Sequence, residues 1–367
     1  MRRLRPTVAE VDLEAIRHNA RALKPPGSEL MAVVKADGYG HGAVEVARAA
    51  LSAGATWLGV ALVEEGVRLR DAGIDAPILV LSESPPGAER HAIATGLTPT
   101  VYTDRGLAAL AEVPDRPAHL PVHVKVDTGM HRVGVWPPER AVPFVRRVAN
   151  AGLRFEGLWT HFARADDDPE LTRGQLRTFG RVAEALAAEG HVPKVLHAAN
   201  SAAAIAFPEA HLDLVRIGVA LYGLPPAPGL EPPTGLRPAL SWRSAVGVAR
   251  RLPAGEGLSY GHRHRLDRAT IIATVPVGYA DGFSRRLTGS AEVLIGGRRR
   301  PVVGTVTMDQ ILVDCGDDEV EEGDEVVLIG PQGEDRITVD ELAGWSGTIN
   351  YEIVTAIGPR VPREFRG

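Results

Sequence analysis

Four lysines stand among 41 basic residues: Lys24, Lys35, Lys125 and Lys194. A chain that uses arginine for nearly every positive charge keeps a lysine for a reason, because arginine stays protonated and cannot condense with a carbonyl. Lys35 closes the apolar run Leu30-Met31-Ala32-Val33-Val34 and precedes the glycine-rich turn Asp37-Gly38-Tyr39-Gly40-His41-Gly42. Partly desolvated at the end of a buried strand, its amine can lose a proton and act as nucleophile or base. The bland alternative, a solvated lysine that escaped replacement, suits Lys24 and Lys194. Other polar residues fall at comparable places. His123-Val124-Lys125-Val126-Asp127 leads to Arg132, Thr160-His161-Phe162 follows an apolar run, Asn200-Ser201 follows another, and Arg216 sits between Val215 and Ile217 before Gly218-Val219. Taken singly, His161 reads as a core histidine, Asn200-Ser201 as a helix cap and Gly218 as a packing glycine. Arg216 is harder to dismiss, since a buried guanidinium needs acceptors.

The elements that would position these residues alternate along the chain. Strand candidates are Leu30–Val34, Trp57–Ala61, Ile78–Leu81, Thr98–Val101, Val122–Val126, Phe155–Trp159, Val195–Ala198 and Leu212–Ile217, with helical patterns between them such as Gly42–Ser52, Pro138–Ala151 and Glu170–Glu189. Asp12 is placed to cap a helix running to Leu23. This alternation predicts an α/β fold, a parallel (β/α)₈ TIM-like barrel, whose strands share one C-terminal mouth. A doubly wound sheet is the alternative, weakened because no G-x-G-x-x-G follows an early strand. The proline-dense stretch Pro225–Pro233 reads as a linker. Beyond it Ala245–Arg251, Thr270–Val277, Ala291–Ile295, Val302–Val306, Ile311–Val313, Glu325–Ile329 and Ile353–Ile357 are short, β-branched and bounded by turn residues. They predict a mostly antiparallel β domain with a short helix at Val339–Trp345. The expected domains are 1–235 and 236–367, with the first residues able to pair with the β domain.

A net charge of −5 and no basic stripe interleaved with aromatics argue against nucleic-acid binding. Arg298-Arg299-Arg300 beside Gly296-Gly297 reads as a solvated hairpin tip. A single cysteine, Cys315, excludes an intrachain disulfide and fits a reducing compartment. Met1-Arg2-Arg3 leads into no apolar export segment, and no apolar run reaches spanning length. A cytoplasmic protein with no membrane association and no metal ligand set is expected.

Ser201 and the amides of Gly218 and Val219 form an anion site of the kind barrels place near their last strands. An anion site, a carbonyl-trapping lysine and a buried arginine at one mouth point to pyridoxal 5'-phosphate. The chain resembles the alanine racemase family, pyridoxal-phosphate enzymes of fold type III, over essentially its whole length. The resemblance rests on Val11–Ile16, Val34–Gly42, Lys125–Gly134, Thr160–Phe162, Ala199–Ser201, Arg216–Gly223, Leu258–Gly261, Val277–Gly282 and Met308–Gln310. Related pyridoxal enzymes share the lysine motif loosely; the last three stretches, in the β domain, are the more specific.

That resemblance implies interconversion of L- and D-alanine, supplying D-alanine for peptidoglycan, by two bases in a head-to-tail homodimer with shared sites. Lys35 would hold the cofactor as a Schiff base and serve one face, and Tyr260 from the partner subunit would serve the other. Arg216 would contact the pyridine nitrogen, while Tyr39, Ser201, Tyr351 and the Gly218 and Val219 amides would hold the phosphate. His161 would link the partner's Tyr260 to Arg216. Arg132 and the Met308 amide would bind the substrate carboxylate, and Tyr279 would line the entrance. Lys125 resembles a lysine that many members carry as a carbamate; the alternative is an unmodified lysine paired with a carboxylate such as Asp127. Thr307 departs from the family, a number of whose members have cysteine there. Moving a proton between faces of a planar carbanion is simplest with one base on each side, provided both pKa values approach neutrality. A fold-type III decarboxylase, a noncatalytic pyridoxal-phosphate-binding protein and a broad-specificity racemase are the competing readings.

Overall fold

The computed structural model describes residues 4–232 and 234–367, so Met1-Arg2-Arg3 and Pro233 of the sequence reading lie outside it. The chain forms two compact units: the N-terminal segment through Leu13 with Tyr39–Gly42 and Ala239–Gly367, and Glu14–Gly38 with Ala43–Pro238.

The second of these carries eight parallel strands: β2 (Glu29–Val33), β3 (Trp57–Val60), β4 (Ile78–Val80), β5 (Thr98–Val101), β6 (Pro121–Lys125), β7 (Arg154–Trp159), β8 (Val195–His197) and β9 (Leu214–Ile217). They pair in the order β8-β7-β6-β5-β4-β3-β2-β9. The ring closes between its ends through Asp213 N–H on Leu196 O at 3.1 Å and Arg216 N–H on Ala199 O at 3.0 Å. Parallel strands buried on both faces read as unbroken apolar runs, which is why the alternation was visible in the sequence. Helices Ala43–Ser52, Val63–Asp71, Ala141–Asn150 and Pro169–Ala188 fill the gaps. Asn19 fastens the first helix, Leu13–Leu23, to the segment after β9. Its fully buried amide donates to Leu221 O and Arg237 O at 3.0 and 2.9 Å and accepts from Arg237 N–H at 2.8 Å.

The other unit begins with β1 (Val8–Asp12), which Asp12 ends before any helix starts. After Pro238 come β10 (Leu240–Ala245), β11 (Val248–Leu252), β12 (Gly257–Leu258), β13 (His264–Arg265), β14 (Thr270–Val275), β15 (Glu292–Ile295), β16 (Arg298–Val303), β17 (Ile311–Gly316), β18 (Glu325–Gln332), β19 (Asp335–Ile337) and β20 (Arg363–Arg366). The main sheet runs β11-β14-β17-β16-β15-β18-β10-β1-β20, with β19 on β18, and only the β1–β20 pair is parallel. The predicted strand Ala245–Arg251 is two strands, because Val246-Gly247 turns out of the ladder to bond Asp324 O and Thr274 O. The predicted strand Ile353–Ile357 belongs instead to a helix, Asn350–Ala356. Its buried residues Asn350, Ile353 and Val354 fall at i, i+3 and i+4, a helical period that a short β-branched run conceals. Val339–Ser346 is the other helix of this unit, started by the Thr338 hydroxyl and Glu341. Gly296-Gly297 forms the tip of the β15–β16 hairpin; Arg299 pairs with Glu292, Asp335 and Glu341, and Arg300 with Asp318.

Candidate active site

In the barrel unit, Lys35 follows β2 at the C-terminal lip. The backbone from Ala36 to Tyr39 is left-handed, with φ of 52°, 51°, 62° and 49°. Only one of these four residues is glycine, and a left-handed conformation costs an L-residue about 1–2 kcal/mol. The sequence reading expected only a glycine-rich turn. Burial above all, then Arg132, pushes the Lys35 amine below its ordinary value, against an upward pull from Glu65.

Arg216, on β9 beside β2, is 3% exposed. Its Nη2 donates to Thr160 O at 2.8 Å, Ala198 O at 2.9 Å and His161 Nδ1 at 3.2 Å, and its Nη1 to His197 Nδ1 at 3.2 Å. Among the described residues it has no carboxylate partner. A guanidinium can only donate, so His197 must accept through Nδ1 and carry its proton on Nε2. That proton points at His123 Nδ1, 2.9 Å away, which leaves the His123 proton on Nε2, 3.8 Å from Glu156 Oε2. Burial lowers both histidines, so the row stays neutral between Arg216 and Glu156. His161 is likewise pushed well down by burial and by Arg216.

Lys125 lies on β6 with its ammonium 4.3 Å from the centroid of Trp159, whose ring also lies 4.8 Å from the Arg216 guanidinium. It makes no ion pair with Asp127. Asp127 Oδ1 accepts instead from the amides of Gly129, Met130 and His131 at 2.9, 3.0 and 3.0 Å. That cap shapes the loop that carries Arg132, and the loop is pinched at its base by Val135 N–H on Lys125 O. Gly134 sits in the pinch at φ 142°, where a Cβ would lie 2.6 Å from the Asp127 nitrogen. Burial first, then Arg132 and Arg216, bring the Lys125 amine down to about 7. Ser201 opens the short helix Ser201–Ala206 and its Oγ accepts from Gly218 N–H at 2.9 Å. Lys35, Lys125, Arg132, His161, Ser201, Arg216, Gly218 and Val219 thus all lie at strand ends or loops of one mouth. The sequence reading missed Gln175, which is buried and bonds Ala163 N, His161 O and Thr128 Oγ1. It also missed His197 and Glu65; single polar residues give no periodic signal.

The remaining predicted residues lie in the other unit. Tyr39 and Tyr351 approach with ring centroids 6.3 Å apart, and burial pushes the Tyr39 phenol up. A Cβ on Gly40, at φ 78°, would lie 2.2 Å from Val354 O, so only glycine lets this segment lie on the 350–356 helix. Tyr279 N–H donates to Thr307 O and Ala280 N–H to Met308 O, while the Met308 N–H has no acceptor among the described residues. Asp281 anchors this pair of loops: burial works against its charge, but Arg5 and the Gly278 amide hold its carboxyl below the ordinary range. Thr307 Oγ1 donates to Gln310 O and accepts from Gln310 N–H, closing the turn that presents Met308. Tyr260 is 74% exposed. Its carbonyl accepts from Thr305 Oγ1, and Ser259 Oγ donates to Thr305 O at 2.7 Å.

Comparison with known proteins accounts for the whole chain. The alanine racemase N-terminal domain family matches residues 11–226 and its C-terminal domain family residues 239–365. The chain belongs to the alanine racemase family. An alanine racemase of Symbiobacterium thermophilum is 52% identical, over 99% of this chain and 98% of that protein. The crystal structure of alanine racemase from Bacillus anthracis with bound L-Ala-P superposes with a TM-score of 0.95 at 41% identity, over 100% of this chain and 96% of that one. The alanine racemase of D-cycloserine-producing Streptomyces lavendulae gives 0.92 at 42%, over 100% and 98%. The chain is an alanine racemase enzyme with the family's near-barrel and antiparallel β unit. Among the described residues no helix is long and apolar enough to cross a membrane.

Proposed function

We propose that this chain interconverts L- and D-alanine with pyridoxal 5'-phosphate, in the cytoplasm, as a head-to-tail homodimer that supplies D-alanine for peptidoglycan. The donor set suits that cofactor: an amine for its aldehyde, a guanidinium for its ring nitrogen, and for its phosphate the Ser201 hydroxyl, the Val219 amide and the Gly218 amide once it turns from Ser201 Oγ, joined by Tyr39 and Tyr351. When bound, the cofactor supplies an electron-withdrawing ring that makes the α-hydrogen of an attached amino acid removable.

Lys35 holds the cofactor and carries a proton on one face; the partner subunit's Tyr260 carries it on the other. Arg132, with no ion pair among the described residues, and the spare Met308 N–H bind the substrate carboxylate. His161 donates through Nε2 toward the phenol while accepting from Arg216, and Tyr279 narrows the entrance. The observation that carries the reading is Arg216. Its Nη1 and Nη2 groups donate to carbonyls and neutral histidines and to no carboxylate among the described residues, so a donor remains for the pyridine nitrogen, which it meets as a cation that gives up no proton. A decarboxylase is served better by a carboxylate there, which accepts from the ring N–H and keeps the nitrogen protonated. Incubation with L-alanine is expected to yield D-alanine without carbon dioxide, and borohydride to fix the cofactor on Lys35. Carbon dioxide release, or label elsewhere, would overturn it.

Lys125 enters this reading as a carbamate. With its amine near 7, a neutral fraction is present at ordinary pH to add to carbon dioxide, losing one proton to solvent and leaving an anion. That anion would be attracted by Arg132 and replaces a buried cation that has no ion pair among the described residues. Under ¹³C-bicarbonate the protein is expected to show one carbamate resonance, absent from Lys125→Arg; no resonance in the parent protein would refute the modification.

A further inference from the structure

The left-handed turn behind Lys35 is closed by Gly38 N–H on Val34 O at 2.9 Å, which leaves the amide of Ala36 to be satisfied from outside it. One side chain does so. Glu65, in the helix Val63–Asp71, accepts from Ala36 N–H through Oε1 at 2.6 Å. Its Oε2 accepts from Ala61 N–H at 2.8 Å and Leu62 N–H at 3.1 Å. A single carboxylate therefore ties the residue after the lysine to the end of β3 and to the start of the next helix. Three donors on two oxygens is a demand that only an ionised carboxylate meets in full. An amide in its place would turn its NH₂ toward one set of N–H groups, whichever way it faced.

We propose that Glu65 is a positioning residue for Lys35: it holds the Ala36 amide, keeps the turn left-handed, and so fixes where the amine leaves the backbone. The assignment rests on the reading of Lys35 as the reacting amine. Burial first, then the charge of Arg132, pushes the Lys35 amine down, Lys125 is the other cation coupled to it, His161 is held neutral by burial, and Glu65 opposes the cations, so the same carboxylate also moderates how far the amine is lowered. A helix cap alone would do neither.

Two variants of the full chain separate these effects. Glu65→Gln removes the charge and one end of the bridge; Glu65→Asp keeps the charge but is one methylene too short to span both. Amide exchange in the peptide covering residues 33–42 is expected to quicken about tenfold in both. The Lys35 titration, read by NMR of ¹³C-methylated lysines in the cofactor-free protein, is expected to fall by about one pH unit in Glu65→Gln and to hold in Glu65→Asp. With four lysines, the Lys35 signal is assigned by its loss in Lys35→Arg. Unchanged exchange and an unchanged titration, with only a lower melting temperature, would reduce Glu65 to a helix cap and overturn the proposal. Borohydride mapping on the parent protein tests the role of Lys35 separately, so failure of that reading is distinguishable.

Discussion

Lys35→Arg is expected to abolish racemisation, with kcat/KM for L-alanine lower by about 10⁴-fold or more. The substitution keeps the positive charge and most of the length, so it isolates the property that matters. A guanidinium neither condenses with an aldehyde nor gives up a proton near neutral pH. Borohydride should then leave no cofactor attached to the chain. Lys35→Ala should behave the same way, but there the missing amine can be supplied from solution: excess methylamine is expected to return part of the activity, and none in Lys35→Arg, where the side chain still fills the space. An arginine variant with more than a tenth of the parent rate would mean that Lys35 only steers charge.

Much of this site could be read from the chain because a parallel barrel converts sequence position into geometry. Once the apolar runs are recognised as strands, residues at their C-terminal ends must meet, and Lys35, Lys125, His161, Ser201 and Arg216 follow without any contact being known. Arg216 was legible for a further reason: an arginine flanked by Val215 and Ile217 inside a strand has no inexpensive way to be buried. The turn after Lys35 was not legible. Local preference gives no hint that Ala36 and Asp37 adopt positive φ, because a carboxylate 29 residues further on helps to hold it. The same holds for the row from Arg216 through His197 and His123 to Glu156, whose members lie on different strands and look, one at a time, like ordinary core polar groups. In the C-terminal unit the sequence reading mistook Ile353–Ile357 for a strand, since five residues with two β-branched isoleucines and a valine carry no period long enough to tell helix from strand. Asp281 illustrates the reverse: its motif was recognised, but its work, pairing with Arg5 while accepting from Gly278, depends on a residue far away in the chain.

Tyr260→Phe is expected to lower racemisation by about 10³-fold in both directions and to leave something behind that Lys35→Arg does not. With the amine intact, the α-hydrogen of one enantiomer should still exchange with D₂O and return to the same face, so deuterium accumulates without inversion; the other enantiomer should stay unlabelled. Within its own chain Tyr260 is 74% exposed; its carbonyl accepts from Thr305 Oγ1 and the preceding Ser259 hydroxyl donates to Thr305 O, a firm mount for a phenol that reaches outward. If it serves the partner's barrel, Lys35→Arg and Tyr260→Phe chains must complement each other. In a mixed dimer one site takes Lys35 from the tyrosine variant and Tyr260 from the lysine variant, and so is whole, while the other lacks both. Random exchange of the two inactive proteins should then restore about a quarter of the parent activity. No recovery on exchange, with mixed dimers demonstrated by mass, would place both residues in one subunit's own site and end the shared-site reading.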